Sequence, residues 1–212
     1  MKHITSLFQK YSVAICIIFS AVLITIATFL YPGGSLLNTN AVGFDWTKNF
    51  ISNLFEDRAI NGSYNPGKIW AIVGMAFHSI ANGLFFIHMA KKFSIKQVVL
   101  VLKTVGYANM VSSFLIVTRL HDIMVIVSAT LSLVGFFYIT IFIFKTKLHL
   151  LKMFCTTCLI IFYFTLYLYG TGNWGLLAIM QKVSFVSFIV LVLSLEYATH
   201  KDDFDKSIDV TH

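Results

Sequence analysis

The sequence predicts an all-α, polytopic integral membrane protein, a six-transmembrane-helix bundle with both the N-terminus and the C-terminus cytoplasmic. Three observations predict it. Of 212 residues, 58% are apolar and only 12% charged, with a mean hydropathy of +0.81; a water-soluble chain of this size cannot hide so much apolar surface. The apolar residues gather into six runs, each of about the 20 residues that a helix needs to cross a bilayer. Lysine and arginine are unequally shared between the connections, which sets the orientation.

The first run, 11–31, follows Lys2 and Lys10. It has the flanks of a signal peptide but is too long, and Pro32-Gly33-Gly34 supplies no small-residue cleavage site. It reads as helix 1. The remaining spans are about 68–90, 97–118, 122–144, 149–169 and 174–197 in a single domain, 1–198. Only two prolines and uninterrupted apolar runs favour helices over the short alternating strands of a barrel. With six spans, ten basic residues lie on the side of the N-terminus, against Lys48, Arg58, Lys68 and Arg119 on the other; Lys103 and Lys182 fall inside helices. The formal charge of +7 is therefore a topology signal before it is a nucleic-acid signal, and no nucleic-acid partner is expected. Cys16, Cys155 and Cys158 all fall inside spans, so no structural disulfide is expected.

One connection is long: residues 32–67, on the outer side. Trp46, Phe50, Ile51, Leu54 and Phe55 recur within it at helical spacing, with Asp45 placed as an N-cap. A short amphipathic helix at about 46–55 is expected, lying on the membrane or capping the bundle. The last segment, 199–212, is charged and expected to be disordered.

Polar side chains inside a span are costly, about 2.5–3.5 kcal/mol for a central charge, and so mark places to look for function. His78 and Asn82 share a face of helix 2; Gly106, Asn109 and Ser113 stripe helix 3; Ser128, Ser132 and Gly135 stripe helix 4. Helix 6 adds Gln181, Ser184 and Ser187, with Lys182 beside them near mid-membrane. Arg119, His121 and Asp122 stand at the outer turn between helices 3 and 4. A polar cavity open to the outer side, walled by His78, Asn82, Asn109, Arg119, His121, Asp122, Gln181 and Lys182, is the sharpest functional reading. The plainer one is that serines and amides simply hold the helices together, at about 0.6 kcal/mol each. Lys182 is too deep to snorkel easily and needs a carboxylate, a carbonyl cage or an anionic substrate.

No metal site is expected: His78, His121 and Asp122 include no paired-His motif, and His78 and Asp122 differ in depth. The Cys155/Cys158 pair reads as core. Phosphate-binding glycine loops, nucleophile elbows and broken helix pairs are absent from the sequence, no internal repeat is visible, and no cofactor is implied.

The stretch containing Tyr31-Pro32-Gly33-Gly34, Gly43-Phe44-Asp45-Trp46, Asn49-Phe50-Ile51-Ser52-Asn53-Leu54 and Asn65-Pro66 resembles an uncharacterised bacterial six-helix membrane family, the domain of unknown function numbered 998. His121-Asp122 is also similar to that family. More distantly, the chain is similar to the eukaryotic DRAM-type autophagy modulators, whose first outer loop carries an Ile-Ser-Asp element. The family pattern has Asp at Asn53 and Gly at Phe55, so this chain departs from it there. The resemblance implies a six-helix bundle with an ordered first outer loop, in which Asp45, Trp46, Asn49, Ser52 and Asn53 form the candidate motif, and it implies no reaction.

The leading expectation is a protein of a bacterial inner membrane that binds a lipid, a small amphiphile or a membrane protein partner on its outer side. The alternative is a membrane enzyme acting on a lipid headgroup, with His78 or His121 as acid or base and Lys182 or Arg119 holding phosphate. A small transporter fits less well, for want of repeats and discontinuous helices.

Overall fold

A computed structural model describes residues 2–205, with side chains from 9 to 204. Six long helices follow one another: α1 (Lys2–Leu30), α2 (Lys68–Ala90), α3 (Lys96–Leu115), α4 (His121–Lys145), α5 (His149–Thr171) and α6 (Trp174–Ala198). All six carry stretches long and apolar enough to cross a membrane, in α1 the stretch Gln9–Leu30. Each helix packs on the next along the chain, and α6 returns to meet α2 and α1. The bundle thus has one end that carries the 32–67 loop and another, the terminal end, where α1 begins and α6 stops.

Close packing follows from side-chain size. A Cβ added to Gly106 of α3 would lie 2.9 Å from the Gly83 carbonyl oxygen of α2, so the two backbones meet where neither residue has a side chain. Toward the terminal end the core is aromatic: Phe85, Phe86 and Phe136 pack with ring centroids 5.1–5.6 Å apart, and Phe93 lies against Phe142. Outward faces keep exposed apolar residues such as Ile18, Phe29, Leu100 and Ile160. In water such faces would be a liability; in lipid they are solvated.

Two segments differ from the sequence expectation. The amphipathic helix expected at 46–55 is only a 3-10 turn, Ile51–Phe55. Its N-terminal half stops after one turn because Asp45 and Asn49 spend their side chains on loop backbone, which competes with helix growth. The tail expected to be disordered from 199 holds a short helix, α7 (Lys201–Asp205), because Phe204 is buried against Phe93 at 4.4 Å. Residues 206–212 lie outside the described part.

The loop is ordered by side-chain amides. Asn49, fully buried, donates to the Gly34 carbonyl at 2.7 Å and accepts from the Asp45 N–H at 2.9 Å. Asn65 donates to the Leu54 and Glu56 carbonyls and accepts from the Gly67 N–H. Gly34 has φ +84°, and a Cβ there would meet the Asn61 nitrogen at 2.4 Å, so conformation and space both require glycine. Tyr31 packs beneath, its hydroxyl accepting from the Ile60 N–H at 3.1 Å, and its burial raises the phenol pKa. Asp45 stays at the surface. The Thr47 hydroxyl and N–H both bond its carboxylate, holding its pKa down at about 2.

Candidate functional site: a cavity at the loop end

At the loop end α2–α6 surround a cavity of about 390 Å³. It is roofed by Phe50, Ile51, Ser52 and Phe55, so the long loop folds down over the bundle. One wall is polar and comes mainly from α2, α3 and α4, with His78, Asn82, Ser113, Ser128 and Ser132. The other, from α5 and α6, is largely aromatic, with Phe162, Tyr169, Trp174, Phe185 and Phe188 around Thr165, Gln181 and Ser184. His121 and Asp122 complete the lining from the first turn of α4.

Five of the eight residues that the sequence assigned to a cavity therefore share one: His78, Asn82, His121, Asp122 and Gln181. Asn109 stands behind the wall rather than in it. Its amide donates to Ser132 at 2.7 Å and accepts from Ser113 at 2.9 Å and Ser128 at 2.6 Å, all buried. That network joins α3 to α4 and satisfies three hydroxyls facing the cavity. Arg119 is exposed on the turn before α4 and is not part of the wall. Lys182 also lies off the wall. Its ammonium donates to the carbonyls of Asn49 and Ala178 and stands 5.9 Å from the centre of the Phe44 ring. Of the three partners that the sequence left open, backbone carbonyls are the ones it has, one of them from the loop.

Within the outer-loop motif, roles divide in the same way. Ser52 faces the cavity. Asn53 accepts from the Phe50 N–H at 2.8 Å and starts the 3-10 turn, a structural task that asparagine performs as well as aspartate. Asn49 fixes the backbone, Asp45 its tight turn, and Trp46 lies half exposed against Phe44.

Local bonds leave particular atoms facing the space. The Gln181 carbonyl accepts from the Ile51 N–H at 2.9 Å, so its NH2 is turned elsewhere. The Asn82 amide donates to His78 Nε2 at 3.1 Å, and the His78 ring stacks on Phe185 with centroids 4.9 Å apart. A neutral His78 then carries its proton on Nδ1. His121 Nδ1 donates to the Ile116 carbonyl at 2.8 Å, so Nε2 is the ring nitrogen outside that bond. None of the hydrogen bonds among the described residues joins a cavity serine to a histidine, the pairing an activated nucleophile needs. Among those residues no group of three His, Cys, Asp or Glu converges to hold a metal.

A second buried polar cluster, unforeseen in the sequence, sits at the terminal end. His88 Nδ1 of α2 bonds the Glu196 carboxylate of α6 at 2.6 Å. Lys92 donates to the carbonyls of Leu195, Glu196 and Thr199 and to the Thr199 hydroxyl, closing the last turn of α6. Burial lowers the Lys92 pKa, partly offset by Glu196 and Asp203. The signal was present, since His88 and Glu196 each stand in the final turn of a span that ends on the same side. What it lacked was knowledge that α2 and α6 are neighbours.

No protein-family model, curated protein or solved structure matches the chain.

Proposed function

We propose that this is a multi-pass cell-membrane protein, its loop end facing outward and its termini in the cytoplasm, that binds a small amphiphile in the loop-end cavity. The excess of basic residues at the terminal end supports that orientation. The bacterial inner membrane is the compartment that the family resemblance suggests. The observation that carries the binding reading is the cavity itself: about 390 Å³ of space with one polar wall and one aromatic wall, beneath an ordered roof. Unfilled volume forfeits packing contacts, which an occupant of matching shape would restore. The volume stands near the small end of the roughly 300–1,000 Å³ usual for ligand pockets, room for one small headgroup with a single chain rather than a two-chain phospholipid.

Binding is favoured over catalysis by the bonding pattern, since His78 is bonded by the Asn82 amide, His121 bonds the Ile116 carbonyl, and Ser113, Ser128 and Ser132 bond the Asn109 amide, so that no serine is paired with a histidine as nucleophile and base. Phosphate chemistry in particular would need a cation, and Lys182 and Arg119 lie off the wall.

The test is thermal stabilisation of the purified protein in nanodiscs by three dodecyl amphiphiles: 1-O-dodecylglycerol, monododecyl phosphate and dodecyltrimethylammonium. Variants Ala129→Phe and Leu166→Trp, which fill the cavity from α4 and α5, serve as blocked controls. Saturable stabilisation of the wild type by at least one amphiphile, lost in a blocked variant that keeps its own melting transition, supports the reading. Equal responses from wild type and blocked variants to all three would overturn it.

A further inference from the structure

The polar atoms of the cavity select among headgroups. Its wall holds no lysine or arginine, and its one carboxylate, Asp122, is exposed at the start of α4. The other polar groups of the lining include uncharged donors and acceptors: the His78 ring, the Asn82 and Gln181 amides, the Ser132 hydroxyl and, in the roof, the Ser52 hydroxyl. Neither His78 nor His121 has a carboxylate within salt-bridge distance among the described residues. An anionic headgroup placed there would lose its hydration with no cation to replace it, and a cationic one would sit away from the only acid. A hydroxyl headgroup meets neither penalty, because it both donates and accepts.

Resting on the amphiphile reading above, we propose that the ligand is an uncharged, single-chain lipid alcohol, such as a monoalkyl or monoacyl glycerol. Its hydroxyls are held between the His78–Asn82 pair and the Gln181 amide, with its chain against Phe162, Phe185 and Phe188. The bonds already made within the wall dictate the polarity. Because the Ile51 N–H occupies the Gln181 carbonyl, that side chain offers its NH2 to the ligand. Because the Asn82 NH2 is given to His78, its carbonyl is the free acceptor. An acceptor on α2 and a donor on the neighbouring α6 suit a vicinal diol better than a carbonyl, which only accepts.

The same three dodecyl probes test this separately from the cavity reading. Dodecylglycerol is expected to reach half-maximal stabilisation of the wild type at a concentration at least 10-fold lower than the phosphate or the ammonium. Gln181→Glu keeps an acceptor for the Ile51 N–H but replaces the free NH2 with a charged oxygen. It should weaken the glycerol response at least 5-fold and improve the ammonium response. Tighter or equal binding of the phosphate or of the ammonium by the wild type would overturn the headgroup assignment while leaving the cavity as a binding site. An unchanged preference in a folded Gln181→Glu protein would overturn the assigned contact. Should none of the probes respond in a cavity-dependent way, the cavity reading itself fails, and the headgroup assignment with it.

Discussion

The side-chain carbonyl of Gln181, on α6, accepts the backbone N–H of Ile51, in the roof, at 2.9 Å. One residue thus fastens the lid of the cavity and presents an amide to its interior. Replacing it with leucine leaves the Ile51 N–H unpaired at a half-buried site, an expected loss of about 1–2 kcal/mol. Hydrogen exchange of the 50–55 segment should accelerate in Gln181→Leu while the helices keep their protection. Unchanged exchange there would show that the bond does not hold the roof.

Lys182 makes the adjacent fastening, through the carbonyls of Asn49 and Ala178. Because its ammonium is off the cavity wall, Lys182→Met should loosen residues 44–55 in hydrogen exchange but change dodecylglycerol affinity less than 3-fold. A much larger loss of affinity with an unchanged loop would mean that the lysine serves the ligand instead.

Asn109 holds three serine hydroxyls in a buried network between α3 and α4. Substitution by alanine leaves those hydroxyls to pair among themselves. Polar contacts between membrane helices average about 0.6 kcal/mol, so this three-bond hub should cost about 1–3 kcal/mol. Reversible unfolding in mixed micelles measures it, and a loss below 0.5 kcal/mol would assign the network no more than space-filling.

The six long apolar helices were legible because length and continuous apolarity are local properties. His78, Asn82 and Gln181 were legible as a polar group for a related reason: helical spacing and depth follow from rise per residue. Partners across helices were not. For Lys182 the sequence left a carboxylate, a carbonyl cage and an anionic substrate open and placed the residue in the cavity wall, whereas one of its two carbonyl partners comes from Asn49, 133 positions away in sequence. The same gap hid the His88–Glu196 pair. The expected 46–55 helix failed for a local reason, since Asp45 and Asn49 bond backbone in ways that end a helix as readily as start one. In Phe204, one buried aromatic outweighs the charged composition of the tail around it.

The Asp45 turn gives the loop an acid limit. Its carboxylate is bonded by Thr47 and held down at about 2 from an ordinary value of 3.8. A lowered carboxylate pKa stabilises the folded turn above the unfolded pKa and loses that contribution as pH falls through the folded one. Trp46 fluorescence, read in a background of Trp70→Phe and Trp174→Phe, should therefore stay constant from pH 7 to about pH 4 and change between about 4 and 2. The Asp45→Asn variant should lack that transition. A transition near pH 6 would instead implicate a histidine.

The most direct measurement is an experimental structure of the protein in a lipid bilayer supplied with 1-O-dodecylglycerol. The account predicts continuous elongated density between Phe185, Phe162 and the 50–55 roof, ending within hydrogen-bond distance of His78, Asn82 and Gln181. A cavity closed by side-chain collapse, or holding only water under the same conditions, would contradict it.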